Sequence, residues 1–150
     1  MLERVLQEET IQIVEEVKDW KEAVEVSVQP LVDTGGVKEA YTTAVIESLQ
    51  EKGPYVVITP HLALLHARPD EKVLRDCLSF TLLEEPVKFG HDKFDPVDLL
   101  FSFAAENNED HMQAIQELAT LLQRSGFTEQ LRQCSTKTEL VNLFTEEMKK

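Results

Sequence analysis

Positive charge is the scarcest ingredient of this chain. Lys and Arg number 15 against 28 Asp and Glu, a formal net charge of −13 at pH 7 over 150 residues. Nucleic acid and anionic membrane surfaces both require a positive footprint, so neither is an expected partner. Cysteine is nearly absent. Cys77 and Cys134 are the only two, too few for a disulfide framework and not spaced as a redox or zinc pair. No apolar run approaches the ~18 residues of a membrane span, so no membrane insertion is expected. The first residues, MLERVLQEET, lack a basic segment followed by an apolar one, which argues against a secretory signal. There is no repeat, no Pro/Gly/Ser-rich linker, no P-loop, no dinucleotide glycine pattern and no G-x-S-x-G. What remains is 42% apolar, close to the globular norm. One cytoplasmic domain over residues 1–150 is expected, large enough for a single core.

The spacing of apolar residues sets out the elements. Leu2, Val5 and Leu6 fit a helical turn or two, and Ile11 and Ile13 alternate like a strand. Asp19-Trp20-Lys21-Glu22 reads as a capping box, and Trp20, Ala23, Val24, Val28 and Leu31 form the face of the helix behind it. Pro30 is expected to kink or end that helix, and Gly35-Gly36 to turn the chain. A second helix is expected from about Val37 to Lys52, stopped by Gly53 and Pro54. The period then changes. Tyr55-Val56-Val57-Ile58 reads as a buried strand. Leu78, Phe80 and Leu82 alternate as another, and Val87 with Phe89 as a short third after Pro86. Val97–Ala105 is apolar enough for a central strand. Helices return with an expected cap at Asp110 and a core face of Met112, Ile115, Leu118, Ala119 and Leu122. A short helix over 128–134 and a last one opened by Thr136 follow. The expected fold is α/β, a mixed β-sheet covered by helices on both faces.

Chemistry concentrates in residues 59–70, Thr-Pro-His-Leu-Ala-Leu-Leu-His-Ala-Arg-Pro-Asp. His61 and His66 directly follow an expected strand, and strand ends of α/β sheets are common ligand sites. On a continuous helix or strand the two rings would diverge, so convergence requires an irregular loop, which Pro60 and Pro69 favour. Three kinds of role fit the residues. They can be hydrogen-bonded structural histidines. They can ligate a metal with His91 or His111, although H-E-x-x-H spacing and a cysteine pair are both missing. Or one can be a nucleophile, which needs a neutral ring held in one tautomer. His111 sits in the first turn of a helix, where the dipole favours a neutral imidazole and nearby anions. Arg68 can pair with phosphate oxygens or with Asp70 and Glu71. Asp98, between apolar residues, suits a buried hydrogen-bonded carboxylate, and His91 a turn at the surface.

The run Gly53–Asp70, GPYVVITPHLALLHARPD, resembles the signature of the type-2 enzyme IIA components of the bacterial phosphotransferase sugar-uptake system, the mannitol/fructose superfamily. Within it the chain is most similar to ascorbate-type members. WKEAV at 20–24, PVKFGH at 86–91, DPVD at 95–98 and the helix near His111 support the likeness. The resemblance implies a histidine phosphocarrier. It would take a phosphoryl group from the histidine-containing phosphocarrier protein and pass it to a cysteine on the IIB component of a permease, for ascorbate or a related sugar acid. It implies no cofactor and no metal. It maps the acceptor onto His66 and the second active-site histidine onto His111, while His61, directly after Pro60 at an expected strand end, suits a supporting hydrogen-bond role. Two departures stand out. Leu65 replaces the usual proline before the acceptor, which leaves open a regulatory or interaction domain without productive transfer. Ser48 falls where mannitol-type members carry an arginine, which leaves Arg68 as the expected phosphate partner.

Overall fold

The computed structural model describes residues 2–149. Its elements are α1 (Leu2–Val5), β1 (Leu6–Val14), α2 (Trp20–Asp33), α3 (Ala40–Lys52), β2 (Val57–Thr59), β3 (Leu62–Leu65), β4 (Cys77–Val87), β5 (Val97–Ala104), α4 (Asn108–Leu122), α5 (Phe127–Gln133) and α6 (Lys137–Met148). The strands form one sheet in the order β1-β4-β5-β3-β2. β1 runs parallel to β4 and β3 parallel to β5, while the β4–β5 and β2–β3 pairs are antiparallel. This is the mixed sheet that the sequence predicts.

Alternation along the central strands builds two cores. Leu62 and Leu64 of β3, Phe80 of β4, and Phe101 and Phe103 of β5 face one side, under α4, α5 and α6. Ala63 and Leu65 of β3, and Leu100 and Ala104 of β5, face the other, under α2 and α3. Because both faces are covered, β5 reads as a continuous apolar run. Continuing the β3 alternation one residue past the strand puts His66 on the α4 side.

Several elements depart from the expected bounds. Pro30 neither ends nor shortens α2, which continues to Asp33. A proline there leaves the carbonyl of Val26 without its helical N–H. The side-chain amide of Gln12 donates to that oxygen at 2.7 Å and to the Thr81 hydroxyl at 3.0 Å, so the freed group stays paired. Gln12→Ala should therefore cost about 1–2 kcal/mol, read as a lower urea midpoint with an unchanged slope. α3 begins at Ala40, because Val37 is drawn into a bridge with Val73 instead. Beyond α2, Gly36 approaches β4 so closely that a Cβ would lie 2.6 Å from Cys77 Sγ.

β2 is an edge strand, and Tyr55 and Ile58 are 41% and 43% exposed, so the Tyr55–Ile58 run is not the buried strand expected. Val87 ends β4 and pairs with Val97 after a shift in register, so no separate strand forms at Val87 and Phe89. The N-cap of α4 is Asn107, whose side chain accepts from Asp110 N. The helix starts three residues before the expected cap; Met112 and Ala119, expected in the core, face solvent, while Leu118 is buried as expected and Leu121 with it. The Thr136–Glu139 capping box on α6 forms as expected.

Candidate active site

The segment expected as an irregular loop is a tight hairpin followed by a strand. β2 turns at Pro60-His61 into β3, whose four residues are all buried. His61 takes the left-handed turn position, with φ of 68°. A non-glycine residue there costs on the order of 1 kcal/mol. The turn is anchored by His61 N donating to Phe94 O and by its Nδ1 lying 2.7 Å from Pro96 O. His66 follows the other end of β3. The four residues of β3 lie between the two histidines, five steps along the chain or about 16 Å. His61 is exposed beside the start of β5, so the structure does not bring it to His66.

Around His66 three rings close in. Phe103 of β5 stacks on it at 5.1 Å and 25°, the Tyr55 ring meets it edge-on at 5.9 Å, and His111 of α4 meets it at 5.4 Å and 68°. Phe103 also touches His111, at 4.9 Å, and so serves as a floor for both imidazoles. His66 Nδ1 lies 2.9 Å from the carbonyl of Leu64. A carbonyl only accepts, so Nδ1 carries the proton and Nε2 holds the lone pair. Burial pushes the His66 pKa down. The Leu64 bond opposes that shift, and His111 and Lys52 add to it. Burial lowers His111 as well. Two neutral imidazoles therefore face each other near pH 7.

His111 lies at the fourth position of α4, its N–H bonded to Asn107 O. Its Nδ1 is buried with no hydrogen-bond partner. An unpaired buried donor costs more than an unpaired lone pair, so the proton belongs on Nε2. The pair is then complementary, a free lone pair on His66 Nε2 facing an N–H donor on His111.

The backbone on either side of the acceptor candidate is fixed by a residue that sequence reasoning assigned only to the core. Tyr41 of α3 is 1% exposed. Its hydroxyl accepts from Ala67 N at 2.9 Å and donates to Phe103 O at 2.8 Å. It thereby ties the residue after His66 to the residue beneath it. The helical spacing of Tyr41 predicts burial; only the tertiary pairing of β3 with β5 reveals what the hydroxyl does. Tyr41→Phe would leave a buried N–H and a buried carbonyl short of a partner. We expect a loss of about 1–3 kcal/mol in stability and a several-fold slower phosphoryl transfer, checked by urea melts and labelling rates on the same sample.

The remaining candidates are dispersed. Arg68 is exposed and makes no hydrogen bond or ion pair among the described residues. Ser48 bonds the Tyr55 hydroxyl at 2.9 Å and so steadies the ring that abuts His66. His91 stacks on Phe94 at 4.7 Å, with Nδ1 accepting from Lys93 N and Phe94 N. Asp98 holds Arg132 Nε with both carboxylate oxygens, the paired carboxylate expected of it. Asp95 accepts from the backbone N–H groups of Phe89, Gly90 and His91. Burial pushes the Cys77 thiol up to about 12, so it is inert packing. Asp76, Glu106 and Asp110 bring carboxylate oxygens within 4.8 Å of one another, but Asp76 is committed to Glu106 N and its pKa is raised, first by burial.

A buried strand end, a tautomerically fixed histidine and a second histidine on a helix start thus come together at one end of an α/β sheet. Residues 4–147 match the family described as "Phosphoenolpyruvate-dependent sugar phosphotransferase system, EIIA 2", and the chain belongs to that family. It is 35% identical over 135 residues to the ascorbate-specific PTS system EIIA component of Escherichia coli (strain K12), covering 89% of this chain and 88% of that protein. It is also 35% identical over 139 residues to the mannitol-specific cryptic phosphotransferase enzyme IIA component of the same strain, covering 92% and 93%. The solution structure of the mannitol-specific cryptic enzyme IIA from Escherichia coli superposes with a TM-score of 0.88 at 34% identity, over 97% of this chain and 98% of that one. Family membership makes the chain a phosphotransferase working through phosphohistidine, with a histidine-containing phosphocarrier protein and a IIB component as partners. No helix among the described residues is long and apolar enough to cross a membrane.

Proposed function

We propose that His66 is the phosphoryl acceptor of this chain, that Nε2 is the attacking atom, and that the relay serves a permease for ascorbate or a related sugar acid from the cytoplasmic side. The bond from His66 Nδ1 to the Leu64 carbonyl carries the assignment, because it fixes the tautomer and leaves one lone pair. In acceptance, the Nε2 lone pair forms a new P–N bond as the P–N bond of the donor phosphohistidine breaks. The electrons of the broken bond return to the donor ring. His66 keeps its Nδ1 proton throughout, and Leu64 O stabilises the charge that the ring acquires. In donation the steps reverse, with a IIB thiolate as the attacking group. Such transfers depend mostly on positioning and charge stabilisation.

Leu65 does not loosen the site. It is fully buried in β3, in register with Ser102 of β5, so the strand fixes the approach to His66 where a proline would otherwise stiffen a loop. This supports productive transfer over a purely regulatory role. Ser48 at the mannitol-type arginine position supports a sugar acid over a hexitol, whereas the ascorbate-specific and mannitol-specific relatives are equally similar at 35% identity.

Labelling with phosphoenolpyruvate and the two general phosphotransfer proteins tests the proposal. One acid-labile, base-stable phosphate per chain is expected, with onward transfer to an ascorbate-type IIB and not a mannitol-type one. Absence of label with an active donor system would leave a regulatory or interaction domain. Preferential transfer to a mannitol-type IIB would overturn the sugar-acid assignment alone.

A further inference from the structure

A phosphoryl group on His66 brings a dianion into a chain of net charge −13, beside a helix start that carries Glu109 and Asp110. Before the phosphoryl group arrives neither imidazole is cationic, the charge that His66 then acquires offsets only part of the dianion, and Arg68 points to no partner in the site. Positive charge has to come from elsewhere. Lys52, the last residue of α3, lies over the Tyr55 ring with Nζ 5.9 Å from its centroid, and that ring meets His66 edge-on at 5.9 Å. Lys52 forms no ion pair among the described residues, so no carboxylate has to be displaced to free it. Its four-carbon stem can swing an ammonium by several ångströms.

Resting on His66 as acceptor, we propose that Lys52 is a catalytic residue of this chain: its ammonium moves along the Tyr55 ring to contact the phosphoryl oxygens on His66 during acceptance and donation. Tyr55 then has two roles. Its edge confines the acceptor ring, and its face parks the cation when no phosphate is bound, a contact of modest strength at an exposed site. The Ser48–Tyr55 bond keeps that ring in place. Where the mannitol-type site uses an arginine, this one uses a serine to hold a tyrosine and a lysine one helical turn later to supply the charge. Lys52 also disfavours protonation of His66, although burial and the Leu64 bond weigh more on that ring. The ammonium stays protonated throughout; it takes no part in the proton balance.

The test compares Lys52→Met, which keeps the stem and loses the charge, with Lys52→Arg and with the exposed surface variant Lys88→Met. Labelling from the phosphorylated phosphocarrier should slow roughly tenfold in Lys52→Met, recover in Lys52→Arg and stay unchanged in Lys88→Met. The His66 ring, followed by NMR titration in unphosphorylated protein, should titrate at higher pH in Lys52→Met because a nearby cation is lost, while the rate and its rescue by Lys52→Arg separate a catalytic lysine from a structural one. A Lys52→Met rate equal to wild type, or a slow rate that arginine does not restore, overturns the role of Lys52. Wild-type protein that takes no label from an active donor overturns the acceptor assignment instead, so the two failures are distinct.

Discussion

His66→Ala should abolish labelling while the protein still folds. The ring lies at a strand end, and its removal takes one hydrogen bond from Leu64 O and the ring contacts with Phe103, Tyr55 and His111. A cost of about 1–3 kcal/mol is tolerable for a domain of this size. His61→Ala should still be labelled at His66, because its ring lies at the far end of β3 against Pro96 O. Both residues fall on one tryptic peptide, so fragmentation has to resolve single residues. Phosphate on His61, or label persisting in His66→Ala, would refute the assignment. The pH dependence follows from the same bond. The groups facing His66 are His111, Lys52 and Tyr55, and burial with the first two holds its pKa below the ordinary histidine value. Acceptance should therefore stay level as pH falls through about 6.5 and drop only at the lower folded value, where protonation removes the Nε2 lone pair. The same depressed pKa contributes stability that is full above the unfolded value and is lost as pH falls through the folded one.

Local signals and tertiary signals separate cleanly in this chain. The capped helices were legible because a cap and an apolar face are both encoded within a few residues, as at Asp19–Glu22 and Thr136–Glu139. The strand LALL was not. Its four apolar residues are buried on both faces, so they show no alternation, and the flanking prolines look like loop. Missing that strand placed His61 and His66 in one loop, whereas the strand holds them apart. Pro30 misleads in the opposite sense. Its rule is local, but its remedy is Gln12, which is 14 residues away in sequence to Val26 and on another element. Tyr41 and Lys52 carry no motif at all. Their relation to His66 exists only once α3 packs against the β3–β5 pair. The family resemblance, which draws on positions across the whole chain, points to His66 and His111 where spacing alone leaves three roles open, and the two rings do meet in the structure.

His111→Ala should slow both acceptance and donation by on the order of 10²-fold without preventing label, because the variant removes a donor and not the nucleophile. The Nε2–H tautomer makes the expectation specific. With Nδ1 buried and unpartnered, the ring has one N–H to offer, and it stands 5.4 Å from the acceptor ring, centroid to centroid. A phosphoryl oxygen on His66 is the acceptor in reach. His111→Gln, which keeps an N–H donor on a flexible stem, should recover part of the rate, whereas His111→Phe, which keeps the packing on Phe103, should not. Thermal melts of all three separate this from a loss of helix packing, since α4 is capped by Asn107 and anchored by Leu118 and Leu121 rather than by this ring. Equal rates in His111→Phe and wild type would leave His111 as filler over Phe103. The His111 variants should also raise the pH at which His66 titrates, because a neighbouring imidazole that can take a proton disfavours a second charge beside it. A neutral donor already packed against Phe103 and His66 needs little reorganisation when the phosphoryl group arrives, which is the basis for expecting two orders of magnitude from a single imidazole.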